Sequence, residues 1–436
     1  MKKLAVILLV VLFALLSCSR EEVEVQPVVT DGRPTPEGEK VAIEFDVPGF
    51  APATKALDEG GTLNSLHLAV FGGSGYLKEY VQATPVQIAD YTYSTFDKDG
   101  NPVERTVPCY RFTVMLTLSD SPRTIHFLGN GPSVMPFGYD TAVMPVQLSS
   151  NGEMAYWQKI YLPHGVRAKR NSNGDFIDKD DNVIPEGGKG YIADDETELL
   201  FQGIPLVRNW SKIVLSADDD SFFTPISLAA VNVPMRGSMA PYSASTGFIE
   251  DYQERSFVWL ESTAKYPGNL PVGTSFDATI PEASDFYGPV FGERVADANG
   301  GAVYMYERPE PSTNVPPSYV IIYGHYCNPD DLDSEGDYFY KVDLMETKKV
   351  GDTEWKSYYY PIYRNFKYQV IVKKILSKGY PTPFAASTSA GSADVSADVN
   401  TSHLSDISDG VGRLHITEWM SKTFTRQQEG HSHHYF

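Results

Sequence analysis

Val41, Ile43, Phe45 and Val47 alternate with Ala42, Glu44 and Asp46, and Pro48-Gly49 follows at once. Period-2 alternation places the four apolar side chains on one face of an extended strand, and the Pro-Gly pair ends it. Comparable short runs return at 66–71, 112–118, 124–128, 212–215, 226–233, 319–323, 338–344, 366–372 and 414–419. Turn residues punctuate the intervals, as in Asp99-Gly100-Asn101-Pro102 and Asn173-Gly174-Asp175. No long stretch with a 3.6-residue period and helix caps interrupts them. Many short strands, each with one face to bury, must stack sheet on sheet. The expectation is an all-β fold built from β-sandwiches.

The chain has 436 residues, more than one typical domain, so two are expected. A boundary at 203–205 gives a first domain over 41–204 and a second over 205–436. A cut at 217–221, inside the Asp218-Asp219-Asp220 loop, fits almost as well. Residues 385–399 are rich in Ala and Ser and are expected as an exposed insertion between the last two strands. The net charge of −20 gives no general attraction to phosphate backbones, so nucleic acid is not an expected partner.

Lys2 and Lys3 precede an uninterrupted apolar run from Leu4 to Leu16. Thirteen residues are too few for a comfortable membrane span and suit the apolar core of a signal peptide. The run ends in Leu15-Leu16-Ser17-Cys18, which resembles a bacterial lipobox. That resemblance implies removal of residues 1–17 and lipidation of Cys18, with several acyl chains forming a stable anchor. Residues 18–40, rich in Glu, Pro and Gly, read as a flexible tether. The two other cysteines, Cys109 and Cys327, lie far apart, and both a disulfide and two buried free thiols stay open.

Chemistry is hard to find. The nucleophile elbow, the zinc-protease helix, the phosphate loop and the dinucleotide glycine pattern do not occur. Asp178–Asn182 and Asp97–Asn101 partly resemble calcium loops but lack the terminal Glu at the twelfth position, so hairpin tips are expected. Asp330, Asp331, Asp333, Glu335 and Asp337 are expected as a solvated loop. His431, His433 and His434 are expected as a solvated tail. On a strand, Tyr358, Tyr359 and Tyr360 would alternate between core and surface instead of forming a sugar-stacking platform. Neither catalysis, nor a cofactor, nor a metal is expected.

Taken in order, the segments resemble a family. The lipobox, the tether, the strand at 41–47 and Ala53-Thr54-Lys55-Ala56-Leu57 look like the start of a Bacteroidales-type fimbrillin, a type V pilin. Residues 66–71 with 75–80, and 124–130, are similar to recurring strands of that family. Arg208 and Lys212, within 205–215, look like the Arg-x-x-x-Lys strand that opens its second domain. Residues 231–238, 304–309, 363–368 and 414–419 resemble a subgroup of large accessory, tip-type fimbrial proteins.

The resemblance implies two tandem transthyretin-like sandwiches and a structural, adhesive subunit of a surface fimbrium. It also implies lipid anchoring in the outer membrane through Cys18, and a trypsin-like protease that cuts at Lys55-Ala56. The first strand, with Val41, Ile43, Phe45 and Val47, would leave, and a neighbouring subunit's strand would refill the groove by β-augmentation. Two departures stand out. The processing residue is Lys55 where the family usually has Arg, and Arg33 precedes Pro34. An uncut subunit would remain a lipid-held anchor. A candidate donor strand carries Leu414, Ile416, Met420 and Phe424, but Glu418 and Lys422 interrupt that face. A subunit that accepts a strand without donating one is therefore as consistent with the chain as a shaft subunit. The alternative functions are a surface glycan-binding lipoprotein, motivated by the aromatic content, and an extracellular hydrolase.

Overall fold

The computed structural model describes residues 38–48, 63–96, 102–134, 138, 145–147, 155–204, 206–239, 242–243, 247–248, 275–287, 295–297, 301–308, 311, 315–330, 332–350, 354–360, 362, 364, 366–391 and 393–403. Strands dominate these residues, and their two α-helices have seven and five residues. Strand β1 spans Lys40–Pro48, β2 Leu66–Gly72, β3 Leu77–Gln82, β4 Thr84–Phe96, β5 Pro102–Thr117 and β6 Arg123–Gly129. One sheet runs β1-β5-β4. The sheet facing it begins β3-β2-β6 and continues through Tyr156–Leu162 to Val207–Arg208. Inward side chains of both sheets form one core, including Ile43, Phe45, Leu68, Val114, Leu116, Ile125 and Phe127.

A second pair of four-stranded sheets follows. In one, Trp210–Ala217 lies between Val303–Tyr306 and Phe366–Ile375, and Val395–His403 forms the edge. The other runs Val295–Asp297, Phe223–Val231, Tyr319–Tyr326 and Gly336–Asp343. Ile213, Leu228, Ile322, Tyr340 and Val370 belong to the core between them. The latter sheet is also covered outside, where Ala229, Ile321, Tyr323 and Phe339 pack with Phe286 and Ala386. Trp210 joins the first core and Ile213 the second, so the strand Trp210–Ala217 serves both.

The alternation expected at 41–47 is present in β1, and eight of the other nine expected runs fall on strands. The ninth, 414–419, lies outside the described residues. Three further strands carry weak signals. β4 exposes Val86 and Ile88, so its apolar residues mark no buried face. Tyr156–Leu162 is buried on both faces and shows no alternation.

The third, Val395–His403, corrects the expectation of a single exposed insertion over 385–399. The segment divides between the helix Pro383–Ser387 and this edge strand, which pairs antiparallel with Phe366–Ile375. Val395 and Val399 are buried among Ser, Ala and Asp, and two anchors were enough to seat the strand. Thr382 caps the helix, its hydroxyl accepting from the Ala385 N–H, and Pro383 stands in the first turn.

Candidate functional site: the seat of the first strand

β1 is one of the two edge strands of its sheet. It pairs antiparallel with β5 along its length, from Lys40 opposite Thr117 to Pro48 opposite Cys109. Val41, Ile43, Phe45 and Val47 are 0–3% exposed, while Lys40, Ala42 and Glu44 face solvent. Phe45 is the central anchor. Its ring stacks on Phe112 at 5.8 Å and meets Phe127 and Phe201 edge-on at 5.4 and 5.8 Å. Phe201 closes a short helix, Asp195–Phe201, whose N-terminus is capped by the Asp194 carboxylate accepting from the Thr197 N–H at 2.9 Å.

The outer edge of β1 is held lightly. Ala42 forms an isolated parallel bridge with Ile192, and the Ile204 N–H donates to the Asp46 carbonyl at 2.8 Å. On the solvent side Arg111 grips the Asp46 carboxylate through two bonds of 2.8 and 2.9 Å. Four filled apolar sites contribute roughly 6–12 kcal/mol as an upper bound, before the cost of ordering the strand. Withdrawal of β1 would leave four empty sites and an unpaired row on β5, a template for any strand of matching alternation.

The cysteines do not pair. Cys109 is buried and Cys327 exposed, which corrects the expectation of two buried thiols; Cys327 follows the end of Tyr319–Tyr326 instead of lying within a packed strand. Burial, reinforced by Asp46, pushes the Cys109 thiol up to about 11. In the folded chain near neutral pH, iodoacetamide is expected to label Cys327 and spare Cys109, as peptide mass spectrometry would report.

Sequence reasoning missed a group of buried charges. Arg364, fully buried, donates through Nε and Nη2 to both carboxylate oxygens of Glu307 and through Nη1 to the Met239 carbonyl. Burial pushes the Glu307 carboxyl up, and Arg364 pulls it back down. Arg308 donates to the Ser318 hydroxyl at 2.6 Å, and that hydroxyl donates to the Asn232 carbonyl at 2.8 Å. Arg208 lies 5.9 Å from the Tyr156 ring and 5.3 Å from Trp210, and Lys212, four residues on, is also buried. The sole signal for these residues in the sequence is their place in segments that resemble fimbrial proteins.

Asp178 sits in a hairpin turn, accepting from the N–H groups of Asp180 and Asn182 at 2.9 Å, and those bonds hold its carboxyl below the ordinary range. Tyr358, Tyr359 and Tyr360 are all half-buried; the Tyr360 hydroxyl donates to the Val399 carbonyl at 3.1 Å. Cys18, Lys55, Ala56, Asp97–Asn101, Leu414, Ile416, Met420, Phe424, His431, His433 and His434 lie outside the described residues.

No protein-family model matches the chain. Over 336 residues it is 25% identical to the major fimbrium tip subunit FimE of Porphyromonas gingivalis, a match that covers 74% of this chain and 49% of FimE. The chain spans about half the length of the curated relative it matches. Among solved structures it is similar to the tip fimbrial protein Mfa3 of Porphyromonas gingivalis, with TM-score 0.39 and 10% identity over 84% of this chain and 100% of that one. It is likewise similar to a fimbrial assembly protein from Parabacteroides distasonis, with TM-score 0.36 and 11% identity over 83% and 98% of the two chains.

Proposed function

We propose that this relative of a fimbrial tip subunit is a structural and adhesive subunit of a cell-surface fimbrium, assembled by exchange of its first strand. The observation that carries the reading is β1 itself. It is an edge strand with four buried apolar side chains on one face and a sparsely bonded outer edge. In this reading the chain comprises two sandwiches, 41–204 and 205–436, exported as a lipoprotein held in the outer membrane by lipid on Cys18. A trypsin-like protease cuts between Lys55 and Ala56, β1 departs with the anchor, and another fimbrial subunit supplies the replacement strand. The segment with Leu414, Ile416, Met420 and Phe424 is the candidate strand this chain would donate in turn. The relationship to FimE supports a place at or near a fimbrial tip.

The test is N-terminal sequencing of the chain recovered from sheared surface fibres. A start at Ala56 is expected, and mild trypsin digestion of the folded precursor should produce the same end. A fibre-associated chain that begins at Cys18 would overturn maturation at this bond and make the protein a lipid-held anchor.

A further inference from the structure

Tyr319–Tyr326 and Gly336–Asp343 pair antiparallel, with Tyr323 opposite Phe339 and His325 opposite Asp337. The same register, carried one step past the strand ends, sets Cys327 opposite Glu335. Side chains two residues apart on a strand share a face. Tyr323, His325 and Cys327 therefore form a column against Phe339, Asp337 and Glu335. Its inner end is packed, Tyr323 and Phe339 being buried and stacked at 4.6 Å. Its outer end carries an imidazole, a thiol and two carboxylates at the surface.

The Asp337 carboxylate lies 2.7 Å from His325 Nδ1, and Glu335 Oε1 lies 3.7 Å from Nε2. The ligating atoms of His325, Cys327 and Glu335 all lie within 4.8 Å of one another. Hydrogen bonds hold both ligand-bearing ends of the connection between these strands. The Cys327 N–H donates to the Phe222 carbonyl at 2.9 Å, and the Tyr338 hydroxyl to the Glu335 carbonyl at 3.4 Å.

We propose that His325, Cys327 and Glu335 bind a divalent transition-metal ion of the zinc class, with Asp337 positioning His325. Zinc takes sulfur at ~2.3 Å and nitrogen or oxygen at ~2.0–2.2 Å in a tetrahedron, which puts ligand atoms roughly 3.3–3.8 Å apart. Side-chain adjustments of about 1 Å reach that geometry, and three half-exposed or exposed side chains can make them. Asp337 engages Nδ1, so Nε2 is the nitrogen presented to the ion, an arrangement common behind zinc-bound histidines. A surface ion pair accounts for His325 with Glu335 and Asp337. It does not account for a thiol in the same column, since free cysteine is among the most buried residue types. Thiolate with imidazole selects zinc over calcium or magnesium. The charges close as well, with one thiolate and one carboxylate against a dication. A bound ion fastens the end of Tyr319–Tyr326 to the start of Gly336–Asp343, leaving one coordination position for water. This site is independent of the strand-exchange reading.

Cobalt(II) is the probe, added to the reduced full-length chain. One equivalent should produce a thiolate-to-cobalt charge-transfer band that zinc abolishes, and zinc should slow alkylation of Cys327 by at least about tenfold. Cys327→Ser, at an exposed position, should fold and lose the band. His325→Ala should weaken binding severely, and Asp337→Asn by roughly 10–100-fold. Absence of the band in the wild-type chain would overturn the site. So would a band that survives Cys327→Ser, or cobalt binding with no thiolate character, which would belong to a set such as His431, His433 and His434.

Discussion

Ile43→Asp is expected to cost the uncleaved chain roughly 4 kcal/mol or more, from the lost burial of the side chain and the placement of a carboxylate in an apolar site. Ile43 is 2% exposed and lies between Val41 and Phe45 on the face that β1 turns into the first core. Whole domains are stable by only ~5–15 kcal/mol, so a loss of this size brings the first sandwich close to unfolding. Glu44→Ala, one residue away on the solvent face, should change stability by no more than about 0.5 kcal/mol. Contrast between neighbours is the signature of an alternating strand, and urea denaturation of the two variants measures it. Strand exchange adds a second contrast. If cleavage at Lys55-Ala56 removes β1 as proposed, assembled fibres no longer contain residue 43, and those obtained from the variant should melt with the wild type. Equal loss in precursor and fibre would show that β1 stays in place, and the exchange mechanism would have to be abandoned.

How far the sequence could be read depended on whether burial was periodic. β1 was fully legible because its face alternates without a break, from Val41 to Val47. Tyr156–Leu162 was not, because the sheet it belongs to is covered on both sides. Trp157 packs outward with Phe71, Leu128 and Met239, while Tyr156 and Ile160 face the first core. The edge strand Val395–His403 was hidden by composition, as its pairing runs through the backbone and only two valines are deeply buried.

Side-chain constellations were harder still. His325 and Asp337 are twelve residues apart, and only the register of the hairpin makes them opposite. The acids at 330–337 drew notice as a charged loop, whereas two of them share a face with His325 and the exposed Cys327. Glu307 and Arg364 are separated by 57 residues, and nothing in a single sequence marks which charges are buried.

That buried pair supplies the other large effect. Arg364→Leu should destabilise the chain by about 3–5 kcal/mol, because Glu307 and the Met239 carbonyl keep their buried positions and lose their donor. The pH dependence identifies the cause. Burial raises the Glu307 carboxyl and Arg364 opposes it, so without the guanidinium only the rise remains. A carboxyl raised in the folded state retains a proton that the unfolded chain releases above about pH 4.3. The stability this confers is fully present below that unfolded value and is lost as pH rises through the folded one.

The gap between Arg364→Leu and the wild type should therefore widen as pH rises above about 4.3, and Glu307→Gln combined with Arg364→Leu should flatten it. Urea denaturation across that range decides the matter; a gap under about 1 kcal/mol, or one unchanged by pH, would remove the pair from any central role. Its position bears on the strand exchange proposed above. Met239, held through its carbonyl by Arg364, packs with Ala69, Phe71, Leu128 and Trp157 on the face of the β2–β6 sheet that points away from β1. A sandwich that surrenders β1 has to keep this second sheet ordered while its groove stands open. A clamp on the opposite face would do so without occupying any site that an incoming strand would fill.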